Sequence, residues 1–234
     1  MLEAIVFALV LGIVVVASRL IALQRQRRQR QALARQPTID LRWETLEKDL
    51  DSQLSAGKGH SKRVTSYTIA LARALGLPSD QVKLIARGAF LHDVGLLMVP
   101  DSILRALGPL TPSEDAILRA HCWQGYEMVK NVPAIADAAE IVYAHEEHFD
   151  GSGYPRGLRG NEIPLGARIL AAANALEECT SFGYSGQGLS LADAKQVIAR
   201  RSGSEFDPAV VDILLTMPER VWADLRGNPE EAEE

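Results

Sequence analysis

From His60 onward, apolar residues return every three or four positions, and no alternation of apolar and polar residues runs long enough to demand a strand. That periodicity commits most of the chain to helices packed on helices. Val64, Tyr67, Ile69, Leu71 and Leu75 mark one helix, stopped by Gly76 and Pro78. Ser79 is expected to cap the next, which runs through Val82, Leu84, Ile85 and Phe90 to His92 and ends near Gly95. Thr111-Pro112-Ser113-Glu114 reads as a capping box that opens a helix carrying His121. Pro133 is expected to open another, through Ile135, Ala138, Ile141 and Val142 to His145. Residues 151–164 read as loop, and Leu165 to Glu178 as an alanine-rich helix containing Asn174. Ser190 caps one more helix, and Asp207-Pro208 starts a last core helix through Val211 and Leu215. The expected fold class is all-α.

The N-terminus follows a different rule. Every residue from Ala4 to Ala17 is apolar or glycine, and the run resumes as Leu20-Ile21-Ala22-Leu23 after Ser18-Arg19. About 20 helical residues cross a bilayer core, so residues 1–23 read as a single transmembrane helix with Arg19 snorkelling to the interface. A cleaved signal peptide is the competing reading, but it calls for an early positive charge, and here Glu3 is the only early charge. A buried core helix is a third. Arg25, Arg27, Arg28, Arg30 and Arg35 follow the apolar run, which places that side in the cytoplasm. Residues 24–53 read as a basic juxtamembrane stalk with a short helix, 54–217 as the main domain, and 218–234 as a helix remnant with an acidic tail. The formal net charge of −5 excludes an electrostatic DNA binder. Cys122 and Cys179 form no Cys-x-x-Cys pattern, so neither a disulfide framework nor an oxidising compartment is indicated.

The chemistry is concentrated in five histidines, His60, His92, His121, His145 and His148. One histidine is weak information, since imidazole has many uses. Four of these fall on or beside four successive predicted helices, and His92 precedes Asp93. Helical bundles build metal sites by projecting such ligands inward from facing helices. His145 then leads into Asp150-Gly151-Ser152-Gly153-Tyr154-Pro155, a segment too glycine-rich to be a packing element.

Gly88 to Gly95, Val99-Pro100-Asp101-Ser102-Ile103-Leu104, Gly108-Pro109-Leu110-Thr111, the Gly153-Tyr154-Pro155 loop, Ile163-Pro164-Leu165 and Phe206-Asp207-Pro208 together resemble the HD-GYP family, a subgroup of the HD phosphohydrolases. The resemblance runs in register from about His60 to Leu215. It implies an HD-type helical bundle and a centre of two or three metals, usually iron or manganese, with magnesium a further candidate. It also implies an enzyme that opens the bacterial second messenger cyclic di-GMP, here set on the cytoplasmic side of the inner membrane. Carried over by motif, His60, His92, Asp93, His121 and His145 match metal ligands, with Asp93 bridging two ions. Gly153, Tyr154 and Pro155 would shape the substrate-facing loop, which is also a candidate contact for protein partners.

The departures from the family pattern fall on the site. Leu96 stands where the family has lysine, Glu146 replaces the second of two paired histidines, and Asn174 replaces a later aspartate ligand. Ala56 replaces a glutamate that some members use for a third metal, and Gly183-Tyr184-Ser185-Gly186 replaces a cationic phosphate-binding segment. Glu146 restores the charge that Asn174 removes, and the shift toward oxygen donors favours Mn²⁺ or Mg²⁺. Loss of the cations is costlier, since one electrostatic donor contributes roughly 3–4 kcal/mol to catalysis. Arg156, Arg159 and Arg168 are candidates to compensate. His148 is expected to be solvated or to orient a ligand. On this reading the chain is a divergent module, weakly active or inactive, that works by binding nucleotide or protein partners. The alternative is an active metal-dependent phosphodiesterase.

Overall fold

A computed structural model describes residues 59–106, 108–181 and 188–227 of the 234. The apolar run to Leu23, the stalk to residue 53, Ala56, Gly183-Tyr184-Ser185-Gly186 and the acidic tail lie outside these residues. Among the described residues no helix is long and apolar enough to cross a membrane.

The described residues form helices α1 His60–Ala74, α2 Ser79–Leu91, α3 Asp101–Leu104, α4 Pro112–Arg119, α5 His121–Lys130, α6 Ala139–Tyr143, α7 Leu165–Thr180, α8 Leu191–Arg200, α9 Pro208–Thr216 and α10 Glu219–Gly227. Short 3₁₀ turns lie at Val94–Met98, Ala136–Ala138 and Gly160–Glu162. Among the described residues there is no sheet, only an isolated bridge between Ser202 and Phe206. The all-α expectation is met.

Helices α1, α2 and α7 pack on one another around Val64, Leu71, Ile85, Ile169, Leu170 and Leu176, all fully or nearly buried. Helices α8 and α9 close this core with Ile198, Val211 and Leu214. Helix α10 adds Trp222 and Leu225, and the Trp222 indole meets the Tyr67 ring edge-on at 5.4 Å. The apolar stripe therefore continues beyond residue 217. A smaller cluster of Leu96, Val99 and Ile103 lies under the connection from the first 3₁₀ turn to α3.

Three expected element boundaries shift. Pro78 is the N-cap of α2, with no side-chain cap bond, and Ser79 is the first helical residue. Proline's fixed φ in extended backbone already sets the entry to the helix. The helix that opens at Thr111 does not carry His121. It stops at Arg119, and a separate helix begins at His121. The Thr111–Glu114 capping box is present as expected. Pro133 opens no helix; the chain turns through Ala136–Ala138 before α6, which ends two residues short of His145.

Candidate metal centre

His92, His121 and His145 share one local design. Each stands where a helix has just ended: His92 caps α2, His121 follows α4 after Ala120, and His145 lies just past α6. The last turn of a helix leaves carbonyls without intrahelical amide partners. Each of these histidines donates Nδ1–H to the carbonyl three residues earlier, of Ala89, Leu118 and Val142, at 2.7 Å in every case. A carbonyl only accepts, so Nδ1 carries a proton, and in its neutral form each ring presents a bare Nε2 lone pair. His60 reaches the same arrangement differently. Its Nδ1 lies 2.7 Å from the Glu177 carboxylate on α7, which also accepts from Arg63 Nε at 2.8 Å.

All four Nε2 atoms converge on Asp93. Its Oδ2 lies 3.1 Å from His92 and 4.0 Å from His60, while Oδ1 lies 3.7 Å from His145 and 3.9 Å from His121. One carboxylate thus addresses two pairs of histidines with its two oxygens. Gly95 makes this convergence possible, since a Cβ there would sit 2.0 Å from the His121 carbonyl oxygen. The 3₁₀ turn that follows Asp93 and the start of α5 touch backbone to backbone.

Electrostatics follow from this crowding. Burial acts to lower His60, but the Glu177 hydrogen bond and charge, with Asp93, raise it above its ordinary 6.5. Burial likewise opposes protonation of His92, and Asp93 more than offsets it. Asp93 loses solvation, which would raise it, yet the charge of His92 and the contacts of His145 and His92 hold it well below the usual carboxylate range. Burial and the neighbouring His145 push His121 down.

A divalent ion fits these residues. His92 Nε2 is buried with no aligned hydrogen-bond partner, and Asn174 Oδ1 is a second buried acceptor without one. His121 Nε2 and His145 Nε2 face each other at 3.2 Å. With both Nδ1 atoms protonated these are two opposed lone pairs, a repulsion that a cation between them relieves. His60, His92 and Asp93 form one group of donors close enough to share an ion, and His121, Cys122 and His145 form another.

The structure brings His60, His92, Asp93, His121 and His145 together as the sequence predicts. Glu146 joins at the edge, with Oε1 3.9 Å from His145 Nε2. Asn174 lies on α7 and donates its amide to Glu178 at 3.0 Å. The loop reaches the centre through Tyr154, whose ring is 6.4 Å from that of His121. Burial and the nearby Glu146 push the Tyr154 phenol up, and the Arg119 guanidinium stacks 4.7 Å over its ring. Gly153 is packed so tightly that a Cβ would meet the His148 amide at 2.1 Å. Pro155 follows a cis peptide bond. Buried Glu147 anchors the loop by accepting from the amides of Arg156 and Leu158 at 2.8 and 2.9 Å.

Other residues singled out in the sequence are engaged by different partners. His148 bonds Ser152 Oγ at 3.0 Å in an exposed position. Arg156 pairs with Glu140 at 3.0 Å and stacks on Tyr143. Arg168 pairs with Asp207, the N-cap of α9, at 2.5 Å. Leu96 is buried in the small apolar cluster. Two residues of the site escape sequence reasoning. Glu177 is an acid on an alanine-rich helix and carries no signal until α1 packs beside α7. Cys122 adjoins His121 directly, a proximity that a search for cysteine pairs passes over.

Comparison with known proteins agrees with this geometry. Residues 44–210 match the model of the HD domain family. A cyclic di-GMP phosphodiesterase of Thermotoga maritima is 33% identical over 174 residues, which cover 74% of this chain and 47% of that protein. The cyclic di-GMP phosphodiesterase response regulator RpfG of Xanthomonas campestris is 36% identical over 156 residues, 66% of this chain and 41% of the relative. The chain thus spans less than half the length of these two relatives. Among solved structures, a cyclic GMP-AMP specific phosphodiesterase of Vibrio cholerae shares the fold at TM-score 0.64 and 19% identity, over 81% of this chain and 51% of the other. The HD domain of the Listeria monocytogenes phosphodiesterase PgpH, in complex with cyclic-di-AMP, does so at TM-score 0.53 and 18% identity, over 78% and 96%. An all-helical fold with a histidine–aspartate centre defines a class of phosphohydrolase-like domains. The chain belongs to the HD domain family, in its HD-GYP branch.

Proposed function

We propose that this chain is a metal-dependent phosphodiesterase that opens a cyclic dinucleotide, cyclic di-GMP or cyclic GMP-AMP. The observation that carries the reading is Asp93, whose two oxygens each face a separate pair of histidines. That arrangement survives the replacement of the paired histidine by Glu146 and of the later aspartate by Asn174. The names of the relatives support the substrate class. This favours the active alternative over a module that only binds.

His60, His92, Asp93, His121 and His145 would hold the ions, with Glu146 at the edge of the set. A pair of divalent ions bound there supplies Lewis-acid polarisation of the phosphodiester and eases deprotonation of the attacking water. The remaining work belongs to the protein. Glu177 orients His60, and the three helix-end carbonyls keep Nε2 of His92, His121 and His145 available as donors. Tyr154 and Arg119 border the site on the loop side, where a flat base and a phosphate find an aromatic ring and a cation.

Purified protein incubated with Mn²⁺, Fe²⁺ or Zn²⁺ and a cyclic dinucleotide is expected to yield the linear product by chromatography. Asp93→Asn is expected to lose both turnover and bound metal. No product with any of these ions, alongside saturable nucleotide binding by calorimetry, would replace this reading with the binding module. Leu96, seated among apolar side chains where the family has a cation, is the feature that favours that second reading. The run Ala4 to Ala17, followed by the arginine cluster, is our basis for placing the domain on the cytoplasmic face of the inner membrane. Recovery of the full chain in the soluble fraction after lysis without detergent would overturn that placement.

A further inference from the structure

We infer that Cys122 is a thiolate ligand in the half of the centre built by His121 and His145, and that this half takes a borderline ion such as Zn²⁺, Fe²⁺ or Co²⁺ in preference to Mg²⁺. The inference rests on the metal centre proposed above and adds a donor to it. Cys122 is the second residue of α5 and is wholly buried. Its Sγ lies 3.6 Å from His121 Nε2, and one donor atom from each of His121, Cys122 and His145 falls within 4.8 Å of the others.

Two of these separations match those of ligands around one ion, and the third pair lies within 4.8 Å. With metal–sulfur bonds of about 2.3 Å and metal–nitrogen bonds of about 2.1 Å, a tetrahedral angle puts sulfur and nitrogen about 3.6 Å apart and two nitrogens about 3.4 Å apart. The observed spacings are 3.6 Å for Cys122 to His121 and 3.2 Å for His121 to His145. A buried thiol donating a weak S–H bond to His121 explains the first spacing only. It has one proton, so the lone pair of His145 still faces that of His121. A shared cation satisfies all three donors.

The two halves of the centre then differ in kind. His60, His92 and Asp93 offer nitrogen and oxygen alone, while His121, Cys122 and His145 include sulfur. Sulfur donors select softer ions, and carboxylate and imidazole tolerate harder ones. Glu146, whose Oε1 lies 3.9 Å from His145 Nε2, borders the sulfur half, so its oxygen and the Cys122 sulfur act on the same ion there, and the sulfur is what sets this half apart from the other. Thiolate formation on coordination releases its proton to solvent.

The test is optical. The full chain in detergent is stripped with chelator and titrated with Co²⁺, and a thiolate-to-cobalt charge-transfer band is expected in the near ultraviolet. Cys122→Ser should lose the band while still binding cobalt by elemental analysis, with Zn²⁺ binding weakened about tenfold and Mn²⁺ binding little changed. The chain has two cysteines, so Cys179→Ser serves as the contrast and should keep the band. That contrast assigns the sulfur even where Cys122→Ser fails to fold. Bound cobalt without the band overturns the thiolate assignment and leaves the metal centre standing. A band that disappears with Cys179→Ser also overturns it. A chain that binds no cobalt overturns both.

Discussion

Glu177 shows how much of the site depends on one side chain outside the motif. It is buried, accepts from His60 and Arg63, and lies below its ordinary carboxyl range because their contacts, together with that of Ser181, outweigh the cost of burial. Glu177→Gln should weaken metal binding roughly 10–100-fold, the usual cost of losing a carboxylate behind a histidine ligand, measured by competition with a chromophoric chelator. Unchanged affinity would reduce Glu177 to a packing residue. The raised His60 and His92 carry a pH consequence. In metal-free protein both bind a proton more tightly folded than unfolded, so their stabilisation is full below about pH 6.5 and fades as pH rises through their raised values. Asp93, held low, contributes above its unfolded 3.8 and loses that contribution only in strong acid. Metal competes for the same Nε2 atoms and needs them unprotonated. The gap in Tm between metal-loaded and chelated protein should therefore widen from about pH 6 to about pH 8. A gap that narrows over that interval would contradict the ligand assignment.

At the level of elements, helix ends decide the site. The sequence marks Thr111 as a capping box and Gly76 and Pro78 as a stop, because those residues act on backbone within a few positions of themselves. It does not reveal that α4 and α5 are separate, nor that α6 stops before His145, because those breaks serve contacts with distant segments. Gly95 is the clearest case. Its backbone lies against the first residue of α5, a contact that no local pattern encodes. Gly95→Ala should force α5 away and displace His121. Overpacking of this kind costs about 1–3 kcal/mol, and metal binding should fall with it. Denaturant unfolding and metal titration on the same sample check both, and a stable variant with full affinity would refute the contact.

For the molecule as a whole, α10 is part of the core and not an appendage. Trp222 is 1% exposed and packs on Tyr67, two turns along α1 from His60. Trp222→Ala should cost about 3–5 kcal/mol of stability, seen as a lower denaturant midpoint. His60 is the one ligand on α1 and stands seven residues before Tyr67, so metal affinity should hold under conditions where the variant remains folded. Loss of metal binding without loss of stability would show instead that α10 acts on the site itself.

Sequence alone determined the helical class, most of the core helices, the loop from Asp150 to Pro155 and, through the family resemblance, the five residues His60, His92, Asp93, His121 and His145. Periodicity, capping and ligand chemistry are local properties, written in neighbouring residues. Tertiary structure alone decided that one carboxylate serves two pairs of histidines, that Glu177 stands behind His60, and that Cys122 faces the His121–His145 pair. Each of those depends on which helix lies beside which at a few ångströms, a relation fixed by packing across a hundred residues of chain. Asp93 faces both pairs of histidines only because α1, α5 and the segment after α6 arrive at it together.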